Sequence, residues 1–98
     1  MRITFKNNKI ERECLNNNIA IRKFGLDMAI KIEQRISEIW VFEDVEQLIQ
    51  LSIGRCHPLH GKRKGQYAMD LVQPYRLVFI KSKLGLKVVQ IVEITNYH

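Results

Sequence analysis

Arg2-Ile3-Thr4-Phe5 alternates polar and apolar side chains, the period of a short strand with one face toward a core. The period then lengthens. Asn7 and Asn8 offer N-cap oxygens to a brief helix through Ile10 and Leu15, which the run Asn16-Asn17-Asn18 stops. From about Ala20 the spacing is helical: Ala29, Ile32, Ile36 and Ile39 recur at i, i+3, i+7 and i+10, with Leu26 and Ile30 flanking the stripe. Lys31, Glu33, Gln34, Arg35 and Glu38 occupy the opposite face, and Asp27 lies in the first turn, where an acid suits the helix dipole. Asp44, Val45, Leu48 and Ile49 predict a shorter helical turn before Gly54.

The second half returns to the strand period. Gln66 to Val72 alternates, with Tyr67, Met69 and Leu71 on one face. Gln73-Pro74 predicts a turn, because proline has no N–H for a central ladder. Tyr75 to Ile80 is a second strand, Lys81-Ser82-Lys83-Leu84-Gly85 a hairpin loop, and Val88 to Thr95 a last strand rich in β-branched residues. One strand, two or three helices and three more strands predict a single small α+β domain over residues 1–98. Its N-terminal strand and helices would pack on one face of a small antiparallel sheet.

Composition supports this reading and narrows it. With 46% hydrophobic and 27% charged residues, the 98-residue chain can fill a core and is not of the disordered type. No apolar run approaches the roughly 20 residues of a membrane span, and MRITFKNNK lacks the form of a signal peptide. Two cysteines, Cys14 and Cys56, make no disulfide framework, so a reducing, cytoplasmic setting is expected.

Charge divides the chain. Residues 1–50 carry eight basic and eight acidic side chains, so the formal +6 belongs entirely to residues 51–98. There Arg55, Lys62, Arg63, Lys64, Arg76, Lys81, Lys83 and Lys87 face only Asp70 and Glu93. Four of these cations and two histidines fall in Arg55-Cys56-His57-Pro58-Leu59-His60-Gly61-Lys62-Arg63-Lys64-Gly65-Gln66, which contains no acid. Such a segment attracts phosphates by Coulomb steering and counterion release. A bare charge run is most often a solvated loop. The histidines change the balance, because they exchange protons near neutral pH and fixed cations do not.

These residue types match the needs of RNA cleavage without metal. A ribose 2′-hydroxyl must lose a proton, the phosphorane needs cations, and the leaving 5′-oxygen needs a proton. His57, His60, Tyr97 and His98 are the candidates for moving protons; Lys62, Arg63, Lys64 and Arg76 are candidates for stabilising charge. Arg76 has two readings, a structural pair with Asp70 or Glu93, or a phosphate clamp. Two carboxylates in the basic half are too few for a two-metal nuclease. Cys56, His57 and His60 lack the paired spacing of a zinc site, which leaves Cys56 as a small, partly buried apolar residue and no metal or cofactor implied.

Three segments together carry a family resemblance. Arg55 through Tyr67, then Pro74-Tyr75-Arg76-Leu77-Val78-Phe79, and finally Tyr97-His98 resemble HigB-type toxins of the RelE/ParE superfamily. The resemblance implies a RelE-like fold and a type II toxin that cleaves mRNA on the ribosome. It also implies silencing by a cognate helix-turn-helix antitoxin, with a toxin–antitoxin heterotetramer as one assembly. Position by position it assigns His57, Arg76, Tyr97 and His98 to the reactive centre and Lys62, Arg63 and Lys64 to the family's basic loop; with Arg55 and His60 of the same cationic segment these are the candidate RNA-phosphate contacts. His60 stands where the family usually has lysine, and Asn96 where it usually has an acid before Tyr-His. An amide cannot stabilise an imidazolium as a carboxylate does, which favours reduced activity. The alternatives are a ParE-like gyrase poison, or a degenerate member that binds RNA or the ribosome without cutting.

Overall fold

The computed structural model describes residues 1–96. Strand β1 (Arg2–Phe5) is followed by helices α1 (Asn8–Leu15), α2 (Asn17–Phe24), α3 (Leu26–Val41) and α4 (Val45–Gln50). Strands β2 (His57–Pro58), β3 (Gln66–Asp70), β4 (Arg76–Lys81) and β5 (Val88–Thr95) come next, with single 3-10 turns at Ile53–Arg55 and Gly61–Arg63. The sheet order is β1-β5-β4-β3-β2. β1 runs parallel to β5 and every other pair is antiparallel, so the sheet is antiparallel except at its N-terminal edge.

The predicted α+β architecture is present, with differences that have local causes. Among the described residues there are four helices, because Gly25, at φ +91°, ends α2 and starts α3 within what the spacing reads as one helical run, its N–H donating to the Ile21 carbonyl at 2.8 Å. The Asn16 N–H donates to the Arg12 carbonyl at 2.9 Å, closing α1, while its side-chain oxygen accepts from Ile19 N–H at 3.2 Å, capping α2. Asn7 and Asp44 cap α1 and α4 in the same way. β3 stops at Asp70, short of Val72, since Leu71 to Tyr75 form the turn. The last hairpin loop begins after Lys81, which remains in β4. β2 was absent from the sequence reading, because two residues carry no detectable period.

One face of the sheet packs against the helices. Met69, Leu77, Phe79, Val89 and Ile91 meet Ile32 and Ile39 of α3 and Leu48 of α4 in one buried cluster, and Tyr67 stacks on Phe79 with centroids 5.6 Å apart. Leu26 and Ile30, which flank the helical stripe, remain exposed. Arg35, expected on the solvent face of α3, is buried instead. Cys14 and Cys56 are both free and buried in the core, where desolvation pushes each thiol up to about 12. Among the described residues, no helix is long and apolar enough to cross a membrane.

Candidate active site on the outer face of the sheet

The face turned away from the helices carries the chemistry, and strand period decides what reaches it. Tyr67 and Met69 enter the core, so Gln66, Ala68 and Asp70 point outward. Register extends this parity across the sheet. Arg76 lies opposite both Asp70 and Thr95, and Val78 opposite both Ala68 and Glu93, while His57 lies opposite Ala68. A β-bulge between Val78 and Phe79 changes the pairing, so Val92 and Glu93 both serve the outer face. Leu59, Ala68 and Val78 form a small second apolar cluster there, joined by Val92.

Asp70 is the hub. Arg55 grips its carboxylate bidentately, Nε to Oδ2 at 2.7 Å and Nη2 to Oδ1 at 3.1 Å. Arg76 Nε lies 3.5 Å from Oδ1, an ion pair longer than a hydrogen bond. From the core side, Arg35 Nε donates to the Asp70 carbonyl at 2.7 Å while its Nη1 reaches Glu38 at 2.8 Å. Gly54 leaves room for that arginine: a Cβ there would sit 2.6 Å from Arg35 Nε, at a residue whose φ is +57°. Ser52 and Arg55 also hold positive φ, 51° and 54°, a conformation that is costly outside glycine.

Arg55 also organises His57. Its carbonyl oxygen lies 2.7 Å from His57 Nδ1, and a carbonyl can only accept, so Nδ1 carries the proton. In the neutral ring Nε2 is then the nitrogen with a lone pair to offer. His57 is half-buried on the outer face, whereas its neighbour Cys56 is buried in the core. The two therefore offer no joint ligand set, because adjacent extended residues point to opposite faces. Among the described residues, no group of three or more His, Cys, Asp or Glu side chains is placed to hold a metal.

The basic segment is less uncompensated than its sequence implies. The two acids of residues 51–98 come from the sheet and are both engaged: Asp70 by Arg55 and Arg76, Glu93 by Arg63 at 3.0 Å. Arg63 Nη1 also donates to Gln66 Oε1 at 2.9 Å. Lys81 and Lys87 pair with Glu46 and Glu43, the latter at 2.6 Å. His60, Lys62 and Lys64 are exposed, and among the described residues neither lysine has an ion pair. The structure thus gathers Arg55 and Arg76 on Asp70, holds His57 on the Arg55 carbonyl, sets Arg63 against Glu93, and leaves His60, Lys62 and Lys64 outward. Asn96 is exposed; Tyr97 and His98 lie outside the described residues.

Asp70 is the structural partner foreseen as one of two for Arg76, whereas its bidentate hold on Arg55 and the anchor from Arg35 were missed. Asp70 was within reach, since it shares the parity of Gln66 rather than that of Tyr67 and Met69. Arg35 gave no such signal. The Arg55 hydrogen bonds hold the Asp70 carboxyl below the ordinary range against the upward push of partial burial; the Arg55 and Arg76 charges and Gln73 lower it further. A lowered folded-state value stabilises the fold above the unfolded pKa and loses that contribution as pH falls through the folded one. Acid titration from about pH 5 downward should therefore cost the wild type stability that Asp70→Asn never had. Chemical unfolding at each pH checks this, and parallel curves for the two proteins would contradict it.

No family sequence model matches the chain, and no curated protein sequence matches it. Solved structures do. The fold is similar to a YoeB/ParE toxin from Agrobacterium tumefaciens, with a TM-score of 0.66 and 15% identity over 100% of both chains. It is also similar to YoeB in the YoeB–YefM complex from Staphylococcus aureus (TM-score 0.64, 19% identity, 100% of this chain and 97% of that one). The YoeB dimer from the same organism gives a TM-score of 0.63 at 20% identity, with the same coverage. At these identities the likeness is one of fold.

Proposed function

We propose that this chain is a HigB-type toxin of the RelE/ParE superfamily, an endoribonuclease that cuts mRNA on the ribosome through the ribose 2′-hydroxyl. The carrying observation is the outer-face constellation. The Arg55 carbonyl holds the His57 proton on Nδ1 and leaves Nε2 as the basic nitrogen of the neutral ring, and Arg55 joins this histidine through Asp70 to Arg76. The likeness of fold to YoeB and YoeB/ParE toxins is consistent with it.

In the proposed reaction His57 Nε2 takes the proton of the 2′-hydroxyl as its oxygen attacks phosphorus. The bond to the 5′-oxygen breaks, leaving a 2′,3′-cyclic phosphate and a 5′-hydroxyl. Arg76 neutralises the charge that develops on the phosphorane, assisted by Lys62 and Lys64 from the exposed loop. The leaving oxygen takes its proton from Tyr97 or His98. No metal or other cofactor enters these steps. The RNA-contacting set is then Arg55, His60, Lys62, Arg63 and Lys64, with Arg55 and Arg63 also holding the sheet acids.

The proposed setting is the bacterial cytoplasm, with residues 1–98 as one toxin domain. A cognate helix-turn-helix antitoxin would silence it. YoeB and YefM from Staphylococcus aureus form a heterotetrameric complex, and the same stoichiometry is proposed here. Two measurements test the activity. Induced expression should arrest growth with cuts inside translated mRNA, and purified protein should cleave single-stranded RNA slowly in EDTA to give 2′,3′-cyclic phosphate ends. Gyrase-dependent DNA breaks, or RNA bound but never cut, would overturn the ribonuclease reading.

A further inference from the structure

Beyond His57 the outer face continues into a groove of about 410 Å³ lined by Lys6, Gln66, Ile80, Gln90, Val92 and Glu93. Register makes it one continuous row: Thr4 pairs with Gln90, Gln90 with Ile80, and Ile80 with Gln66. Half-buried Ile80 and Val92 give it apolar surface, and a glutamine amide stands on each side of Ile80. Gln66 Oε1 already accepts from Arg63, so its two N–H bonds are the donors it has left to offer. Apolar surface flanked by amides suits a planar heterocycle whose edge carries donors and acceptors.

We propose that this groove binds a nucleobase of the RNA strand, next to the nucleotide that is cut. The proposal rests on the ribonuclease reading for its position along the strand. Successive outward rows of a sheet are about 7 Å apart, and the Gln66–Ile80 row is the next outward row after that of His57 and Val78. Charge agrees with a polyanion: Lys6 lines the groove, Lys62 and Lys64 are exposed beside Arg63 in the chain, and the carboxylate of Glu93 is neutralised by Arg63. Arg63 joins Gln66 to Glu93, so the groove and the loop are held together by one guanidinium.

The test separates binding from cleavage. Single-stranded RNA tetranucleotides carrying 2′-O-methyl groups cannot be cut by this route, and they are titrated against the whole protein. The Gln66 and Gln90 side-chain amide resonances should shift, and Gln66→Leu with Gln90→Leu should weaken binding about 10-fold for the preferred base but little for the others. With unmodified RNA the same variant should lose base preference beside the cut while still cutting. Base-selective binding without any cleavage keeps the groove and removes the ribonuclease reading. Cleavage with unchanged base preference, or binding that leaves both amides unshifted, overturns the groove.

Discussion

Arg76→Ala is expected to lower the rate of RNA cleavage by about 10² to 10³-fold, the scale of losing one preorganised donor to a developing oxyanion. That loss should exceed what any loss of folded protein explains. Arg76 contributes to the Asp70 cluster through an ion pair at 3.5 Å, while Arg55 keeps both carboxylate oxygens at 2.7 and 3.1 Å. Loss of that pair alone costs on the order of 1 kcal/mol of stability. Arg76→Lys should fall between the two, since an ammonium keeps the charge and loses the planar fork. Single-turnover cleavage beside urea unfolding separates the effects. A rate that fell only as far as the folded fraction fell would make Arg76 a structural residue.

The largest stability effect is expected at Arg35. Truncation to Ala removes the donor that satisfies the Asp70 carbonyl and empties the space beside Gly54. The cost should be about 2–4 kcal/mol, from an orphaned acceptor and lost packing together. Gly54→Ala in the wild type should cost about 2–3 kcal/mol, because a Cβ 2.6 Å from Arg35 Nε adds a clash to a left-handed backbone. In the Arg35→Ala background the clash is gone, and only the backbone part of roughly 1 kcal/mol remains. The double-mutant cycle should therefore show coupling above about 1 kcal/mol in urea unfolding. Strictly additive losses would mean that Gly54 is glycine for its φ alone.

How far the sequence could be read depended on how local each feature is. The α3 stripe and the alternation of β3 are periodic over many residues, and Ile32, Ile39, Tyr67 and Met69 packed as that period requires. β2 escaped because its two residues are a strand only by pairing with Ala68 and Tyr67. The edge pairing of β1 escaped for the same reason, since nothing in Arg2-Ile3-Thr4-Phe5 names Val88 to Ile91 as its partner. In the site, His57 and Arg76 stood out by residue type, and Asp70 was already one of two possible partners for Arg76. That Asp70 would also hold Arg55, and be held in turn by Arg35, depends on side chains 15 and 35 positions away in the chain. Local periodicity cannot carry such information, and it mistook Arg35 for a solvated residue.

The sheet order has a consequence for how the protein comes into being. Among the described strands β5 is made last, yet it lies between β1 and β4. The helices and the β3–β4 hairpin can form from near neighbours, but β1 waits for a partner some 85 positions later, as the Thr4 to Val89 hydrogen bond records. Glu93 and Thr95, which complete the outer-face rows beside Arg63 and Arg76, arrive on that same strand. A nascent chain therefore lacks part of the candidate site until β5 has left the ribosome. The order of synthesis delays completion of the site until the final strand has closed the sheet.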